Sequence, residues 1–282
     1  MHPILFVLPL PFSDVKILIY SVFFAITVSL VLGICLGTQA AQKRGLPVDI
    51  ALNMTFVGLI TLIVGARVYA FLENPSFYLA HPVRMIKLWE GSLATYGGAI
   101  GGMLGCVGYL FCRRQAVLPF LDTYAPYGFL GLGLIRVGDF LNGTAFGRPA
   151  EISWAVAFPK GSFAYNYQLH QGLIRADAAA SLPVHPTQLY EASVCFLIFV
   201  LLLAFSGFMA RRAAGAGFML GALVYVASRF WIDCFRQDLQ KDLPFGLAST
   251  QWVGAVLFIV LLVCVFFMKK SPGLAKPPPA QG

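Results

Sequence analysis

Charged side chains are scarce in this sequence. Asp, Glu, Lys and Arg make up only 11% of the 282 residues, whereas 59% of the residues are hydrophobic. So little charge does not cover the surface of a water-soluble domain of this size, which excludes a soluble globular protein. The hydrophobic residues form continuous runs rather than short alternating segments, which excludes a transmembrane β-barrel. The composition therefore predicts an all-α integral membrane protein.

Metal-binding and nucleic-acid-binding patterns are also missing. The six cysteines form no CxxC pair and have no histidine cluster nearby, so we interpret them as small buried hydrophobic residues and predict neither a metal site nor a cofactor. The net charge of +8 comes from pairs of cations at the ends of apolar runs, and no basic stretch is interleaved with aromatic residues. No nucleic-acid partner is therefore predicted.

Seven apolar runs are long enough to cross a hydrocarbon core as helices of about 20 residues. They lie at about 15–37, 48–72, 91–112, 118–138, 188–210, 215–235 and 247–268. We expect them to form one membrane domain over 1–270, followed by a disordered proline-rich tail at 271–282. No internal repeat divides the runs into halves, which argues against an inverted-repeat transporter.

The basic residues of the short loops predict the orientation of these runs. They collect on one side of the membrane, at Lys43, Arg44, Arg113, Arg114, Arg211, Arg212, Lys269, Lys270 and Lys276. Because cytoplasmic loops are enriched in Lys and Arg, this side and the C-terminus are predicted to be cytoplasmic and the N-terminus to be outside. The loops at 73–90 and about 139–187 then lie on the outer face, where the second forms a loop or head region.

Three arginines lie inside the apolar runs: Arg67, Arg136 and Arg229. A charged residue at the centre of a bilayer costs about 3 kcal/mol on insertion scales. One such arginine is explained equally well by snorkelling to the interface. Three at similar depth in the outer half of the membrane predict a shared anionic ligand, because guanidinium groups stay charged and bind phosphate through two parallel hydrogen bonds.

Two further motifs carry polar groups or glycines near these arginines. HPTQLYE at 185–191 opens an apolar run and spaces His185, Gln188 and Glu191 three residues apart; a capped helix start is the alternative interpretation. YGGAIGG at 96–102 contains glycines that let helix backbones approach closely. The same glycines, Gly97 and Gly98 among them, also leave room for a lipid headgroup.

Four motifs together resemble one family. RVGDFLNGTAFGRP at 136–149 is similar to the signature of bacterial prolipoprotein diacylglyceryl transferases, which runs Arg-x-Gly-Asn-Phe-x-Asn-Gly-Glu-x-x-Gly. Three more segments resemble motifs of that family: YGGAIGG at 96–102, HPTQLYE at 185–191 and YVASRFWIDCFRQD at 225–238. Together with the signature, they follow one another in the order that the family has. With the seven predicted spans, the resemblance covers nearly the whole chain.

This resemblance implies a transferase in lipoprotein biosynthesis. Its substrates would be phosphatidylglycerol, a membrane lipid, and the signal peptide of a prolipoprotein. The diacylglyceryl group would move to the thiol of the lipobox cysteine, and glycerol phosphate would be released at the outer face of the bacterial inner (plasma) membrane. The implied and candidate catalytic residues are Arg136, Arg229, Asp139, Tyr96, His185 and Glu191. The candidates for binding phosphatidylglycerol are Arg136, Arg229, Arg67, Tyr225, Asn142, Gly147, Gly97 and Gly98.

Three positions depart from the family motifs. Asp139 stands where the signature has asparagine, Thr144 where it has glutamate, and Asp233 where the last motif has glutamate. If the helix continues past Arg136, Asp139 lies beside it and either weakens phosphate binding or serves as a base. Asp139, His185 and Glu191 all remain candidates for the base. The departures also allow a catalytically silent homologue that binds phospholipid or lipoprotein precursors.

Overall fold

A computed structural model describes residues 4–9, 16–85, 87, 95–239 and 243–268. The helices are α1 Ser21–Lys43, α2 Val48–Glu73, α3 Pro75–Ala80, α4 Thr95–Cys112, α5 Val117–Asn142, α6 Phe163–His170, α7 Thr187–Ala204, α8 Ser206–Arg212, α9 Ala216–Phe235 and α10 Ser249–Phe267. Two strands, β1 Ile4–Pro9 and β2 Lys16–Tyr20, precede them. Each predicted apolar run overlaps one of the long helices.

Five of these helices are long and apolar enough to cross a membrane, namely α1, α2, α7, α9 and α10. Helix α4 is apolar over a shorter stretch, Gly97–Cys112. Helix α5 has sufficient length at 26 residues, but Asp122, Arg136 and Asp139 lower its hydropathy. The protein is therefore a helical, multi-pass integral membrane protein, as predicted. The count of seven spans and their orientation stay predictions, and the predicted tail at 271–282 lies outside the described residues.

The beginning of the first helix differs from the prediction. The apolar run was expected to be helical from about residue 15, but Lys16–Tyr20 is a strand that pairs antiparallel with Ile4–Pro9. The two strands are rich in Ile, Leu and Val, and the segment that connects them contains proline, which interrupts a helix. An all-α architecture is thus correct except for this hairpin.

The described residues divide into two compact units, one formed by residues 4–35 together with those from 124 onward, and the other by residues 36–123. In the second unit, α2 and α4 touch through their backbones. A Cβ atom added at Gly101 would lie 2.4 Å from the carbonyl oxygen of Thr61 and 2.8 Å from Cα of Gly65. A Cβ atom added at Gly97 would lie 2.5 Å from the carbonyl oxygen of Gly65. These glycines therefore serve the packing of α2 against α4. The single membrane domain expected over 1–270 stays a prediction.

In the first unit, residues 143–186 form a head segment with its own apolar core. Phe146, Phe158, Ala164 and Val184 are buried together, and Phe140 packs against them. Val156 and Val184 exchange both backbone hydrogen bonds. The stretch 152–159, expected to be a short strand or an interfacial segment, contributes isolated bridges at Val156 and Pro159. These contacts fix the positions of the two ends of the head segment, one of which adjoins α5 and the other α7.

Replacing Gly101 with alanine should destabilise the protein, because the added methyl group enters the α2–α4 contact. Overpacking of this kind costs about 1–3 kcal/mol. The matched control is Gly108→Ala in the same helix, where nothing lies within 4 Å of an added Cβ. We expect thermal unfolding in detergent to show a lower midpoint for G101A, and an unchanged or higher midpoint for G108A because alanine favours helices. Equal midpoints for the two variants would contradict the backbone contact.

Candidate active site

A buried glutamate on α7 joins two arginines from different helices. Glu191 has only 3% of its side chain exposed. Its Oε1 accepts a hydrogen bond of 2.8 Å from the Tyr225 hydroxyl, and its Oε2 pairs with Nη1 of Arg229. Nε of Arg136 lies 2.9 Å from Oε1 as an ion pair that lacks hydrogen-bond alignment. One carboxylate therefore holds α5, α7 and α9 together.

The ion pairs continue on both sides of Glu191. On α5, Nη1 of Arg136 donates to Oδ2 of Asp139 at 2.6 Å. On α9, Nε of Arg229 lies 3.1 Å from Oδ1 of Asp233, whose Oδ2 accepts a hydrogen bond of 2.7 Å from the hydroxyl of Thr250 on α10. The result is a chain of alternating carboxylates and guanidinium groups, which we call the ion cluster.

Helical periodicity accounts for much of this arrangement. Tyr225, Arg229 and Asp233 follow one another at four-residue intervals and lie on one face of α9. Arg136 and Asp139 are three residues apart, and α5 continues to Asn142, so the predicted contact between them is confirmed. The contact of Arg136 and Arg229 with the same carboxylate depends on how α5, α7 and α9 pack.

Among the described residues, these ion pairs contain one carboxylate more than guanidinium groups. The cations are Arg136, Arg229 and Arg236, and the anions are Asp139, Glu191, Asp233 and Asp238. The sequence predicted arginines that converge on an anionic ligand. Two of the predicted arginines do converge, but the anions that they contact are side chains of the protein itself. A phosphate that binds here has to share these guanidinium groups with carboxylates.

The turn that follows α5, at residues 143–145, belongs to the signature motif, and we call it the signature turn. The motif that begins α7 holds this turn in place. Gly143 and Ala145 both have positive φ, +78° and +54°. Such a backbone suits glycine and is strained for alanine. The side chain of Thr187 donates to the Ala145 carbonyl at 2.7 Å, and Gln188 donates to the Thr144 carbonyl. Thr187 and Gln188, both buried, therefore position the signature turn.

Gly147 closes the signature against the other motif. Its N–H donates to the carbonyl of His185 at 3.0 Å, and a Cβ at this position would lie 2.5 Å from that same oxygen. The requirement for glycine at 147 is thus explained by close packing of two backbone segments. Asn142 is the last residue of α5.

His185 lies outside the ion cluster. The three-residue spacing had predicted that His185 shares a helical face with Gln188 and Glu191. Helix α7 begins only at Thr187, so His185 does not lie on that face. Its Nδ1 instead lies 3.1 Å from the Tyr190 hydroxyl, which also accepts a hydrogen bond from the indole of Trp154. The pKa of His185 lies below its ordinary value, because burial disfavours the charged ring and Arg148 repels it.

The remaining predicted residues belong to the second unit. Arg67 on α2 is buried, and its Nη2 donates to the carbonyl of Lys87 at 2.6 Å. Within the described residues its Nε and Nη1 have no hydrogen-bond partner. Gly97 and Gly98 begin the contact of α4 with α2. Tyr96 lies in the first turn of α4, and its side chain is outside the part of the chain that is described.

Residues with clear roles in the site that were not among the predicted site residues include Asp233, Thr187, Gln188 and Thr250. Thr187 and Gln188 lie inside the HPTQLYE motif, where Gln188 was noted for its spacing but not assigned to the site. Thr250 offered no such signal, since it is 17 residues from Asp233 in an unremarkable apolar helix.

Fold and site together define a helical membrane protein with a buried arginine–carboxylate cluster next to a folded head segment, and comparison with known proteins names its family. A family model described as prolipoprotein diacylglyceryl transferase matches residues 5–267. The phosphatidylglycerol–prolipoprotein diacylglyceryl transferase of Chloroherpeton thalassium is 33% identical over 266 residues, which cover 91% of this chain and 90% of the relative. The protein of the same name from Tolumonas auensis is 35% identical over 254 residues, covering 85% and 88%. The chain belongs to the prolipoprotein diacylglyceryl transferase family.

Changing Glu191 to glutamine should destabilise the protein. The amide keeps the shape of the side chain but removes the charge that balances Arg136 and Arg229, and breaking a buried ion pair in this way costs about 3–5 kcal/mol. The matched control is Ser193→Ala, at an exposed position on the same helix. We expect a lower thermal midpoint in detergent for E191Q and no shift for S193A. A midpoint for E191Q equal to that of the wild type would show that the helices pack without this charge.

Proposed function

We propose that this protein transfers the diacylglyceryl group of phosphatidylglycerol to the thiol of the lipobox cysteine in prolipoprotein signal peptides. The sulfur forms a bond to the terminal glyceryl carbon of the diacylglyceryl group, the bond between that carbon and the phosphate oxygen breaks, and glycerol phosphate leaves. The observation that carries the proposal is the match to the family over residues 5–267, with Arg136 and Arg229 meeting at one carboxylate.

Arg136 and Arg229 are proposed to bind the phosphate and to stabilise the charge that builds on the leaving oxygen. The contacts among the described residues use Nε and Nη1 of both groups, so Nη2 of each is the donor left for phosphate. Glu191 and the Tyr225 hydroxyl orient the two guanidinium groups before substrate arrives. Donors fixed in advance in a site screened from water supply the largest contribution to a reaction of this kind.

The thiol must lose its proton, and Asp139 is the acceptor that the geometry favours. Both oxygens of Glu191 are engaged by cations, and His185 lies outside the ion cluster with its Nδ1 beside the Tyr190 hydroxyl. Asp139 contacts one arginine and one neutral hydroxyl, and 14% of its side chain is exposed, more than for Glu191. It is therefore the carboxylate best placed to receive a proton from an incoming thiol.

Arg67 is proposed to bind the anionic headgroup as well. Its buried guanidinium group keeps two nitrogens without a partner among the described residues, and buried charges of this kind normally bind a counter-ion. Tyr96, Gly97, Gly98, Asn142 and Gly147 remain proposed contacts of the lipid or supports of its site. Their family motifs, rather than any observed ligand, support this assignment.

The protein is proposed to lie in the bacterial inner membrane with seven spans, the N-terminus outside and the C-terminus in the cytoplasm. The basic loops support this orientation. It places the head segment and the ion cluster near the outer face, where prolipoproteins present the lipobox after export.

Replacing Arg136 or Arg229 with alanine should reduce transfer at least about a hundredfold, as loss of a fixed donor to a developing anion does elsewhere. The assay follows labelled diacylglycerol from phosphatidylglycerol to a synthetic lipobox peptide, with a peptide in which serine replaces the cysteine as a blank. Arg175→Ala, at an exposed position in the head segment, is the matched control and should keep wild-type activity. Activity in R136A or R229A would remove the proposed role of that arginine. A wild-type protein that retains phosphatidylglycerol without labelling the peptide would instead indicate a silent lipid-binding homologue.

A further inference from the structure

Two of the three departures from the family motifs contact each other. Thr144 and Asp139 are five residues apart, and the Thr144 hydroxyl donates to Oδ1 of Asp139 at 3.2 Å. The signature has glutamate and asparagine at these two positions, in that order. The two departures therefore contact each other directly, and the side chain at either position determines which side chain fits at the other.

The contact is complementary in charge and in hydrogen bonding. A carboxylate only accepts hydrogen bonds, so each neighbour of Asp139 has to donate. Arg136 donates to Oδ2 at 2.6 Å and Thr144 donates to Oδ1. With glutamate at 144 and aspartate at 139, two carboxylates would face each other. With asparagine at 139 and threonine at 144, the pair would hold no carboxylate.

The backbone enforces this proximity. Residue 144 lies in the signature turn between Gly143 and Ala145, which both have positive φ. The Thr144 N–H donates to the Asp139 carbonyl at 3.1 Å, and the Thr144 carbonyl accepts from the buried Gln188. Position 144 is thus held over position 139 by contacts that do not involve either side chain. Whatever side chain stands at 144 has to suit the one at 139.

We infer that Asp139 and Thr144 act as one unit, in which the carboxylate beside Arg136 is supplied from position 139 and Thr144 positions it. The inference rests on the proposed function, since Asp139 is there the acceptor of the thiol proton. Thr144 is a positioning residue that holds Oδ1 while Arg136 holds Oδ2. Exchanging both residues for asparagine and glutamate would keep one carboxylate and one neutral donor in the same contact.

The test is a double-mutant cycle of Asp139→Asn and Thr144→Glu, measured by transfer to the lipobox peptide and by thermal midpoint in detergent. Each single change should lower kcat by about tenfold or more, because D139N removes the carboxylate and T144E adds a repelling one. For D139N the KM for phosphatidylglycerol should not rise, since an anion near the phosphate has been removed. The double variant should return to within about threefold of the wild type.

Controls separate a charge effect from an effect of the contact. Asp177→Asn makes the same change of charge at an exposed position of the head segment and should leave transfer unchanged. Thr144→Val should lower kcat, and Thr144→Ser should recover most of the loss because it restores the hydroxyl. A double variant at least as impaired as the product of the two single effects would overturn the inference.

The thermal midpoints keep the two proposals distinguishable. A wild-type protein that transfers no label would refute the proposed function, but the same four proteins would still report on the contact. T144E should lower the thermal midpoint, and adding D139N to T144E should raise it again. Additive shifts of the midpoint would overturn the inference even if the wild-type enzyme were fully active.

Discussion

The pairing of Arg136 and Arg229 with the buried carboxylate of Glu191 is the interaction on which the rest of the site depends. Ionised groups inside an apolar helical bundle are tolerated only when they are paired and hydrogen-bonded. Glu191 satisfies this requirement for α5 and α9 at once, and the Tyr225 hydroxyl completes its coordination. If these helices were displaced, at least one charge would be left unpaired at a cost of several kcal/mol. The cluster therefore locates its own helices as well as its side chains.

The same requirement shapes the chemistry of the site. Because the ion pairs of the described residues contain one more carboxylate than guanidinium groups, the site is not a simple positive pocket for phosphate. Its advantage lies in preorganisation, because each arginine already contacts two carboxylates, through Nε and through Nη1. A substrate phosphate then meets donors that need no rearrangement, although it shares them with the acids that hold them.

Strain at the signature turn is balanced by contacts from a second motif. Ala145 adopts a left-handed backbone, which costs a non-glycine residue about 1 kcal/mol or more. The side chains of Thr187 and Gln188 bind the two carbonyls of that turn, and the Gly147 backbone rests on His185. Motifs that are separate in the sequence thus form one structure, in which the start of α7 supports the turn that follows α5.

The sequence by itself determined the features that depend on local geometry. Hydrophobic runs located the long helices, with ends displaced by up to about six residues, and helical spacing predicted that Asp139 would lie beside Arg136. The four-residue spacing likewise aligned Tyr225, Arg229 and Asp233. These inferences hold because the turn of an α-helix fixes which near neighbours meet. The motifs were also sufficient to indicate the family.

Only the tertiary structure decided which distant groups meet. It made Glu191 the shared partner of two arginines, joined Thr250 to Asp233, and turned His185 toward Tyr190 because α7 begins two residues later. It also paired residues 16–20 with 4–9 as a hairpin, where the apolar run alone favoured a helix. Such contacts depend on packing between segments far apart in the chain, and residue spacing carries no information about them. For that reason the chemistry of the site was predictable by residue type, whereas its network of partners was not.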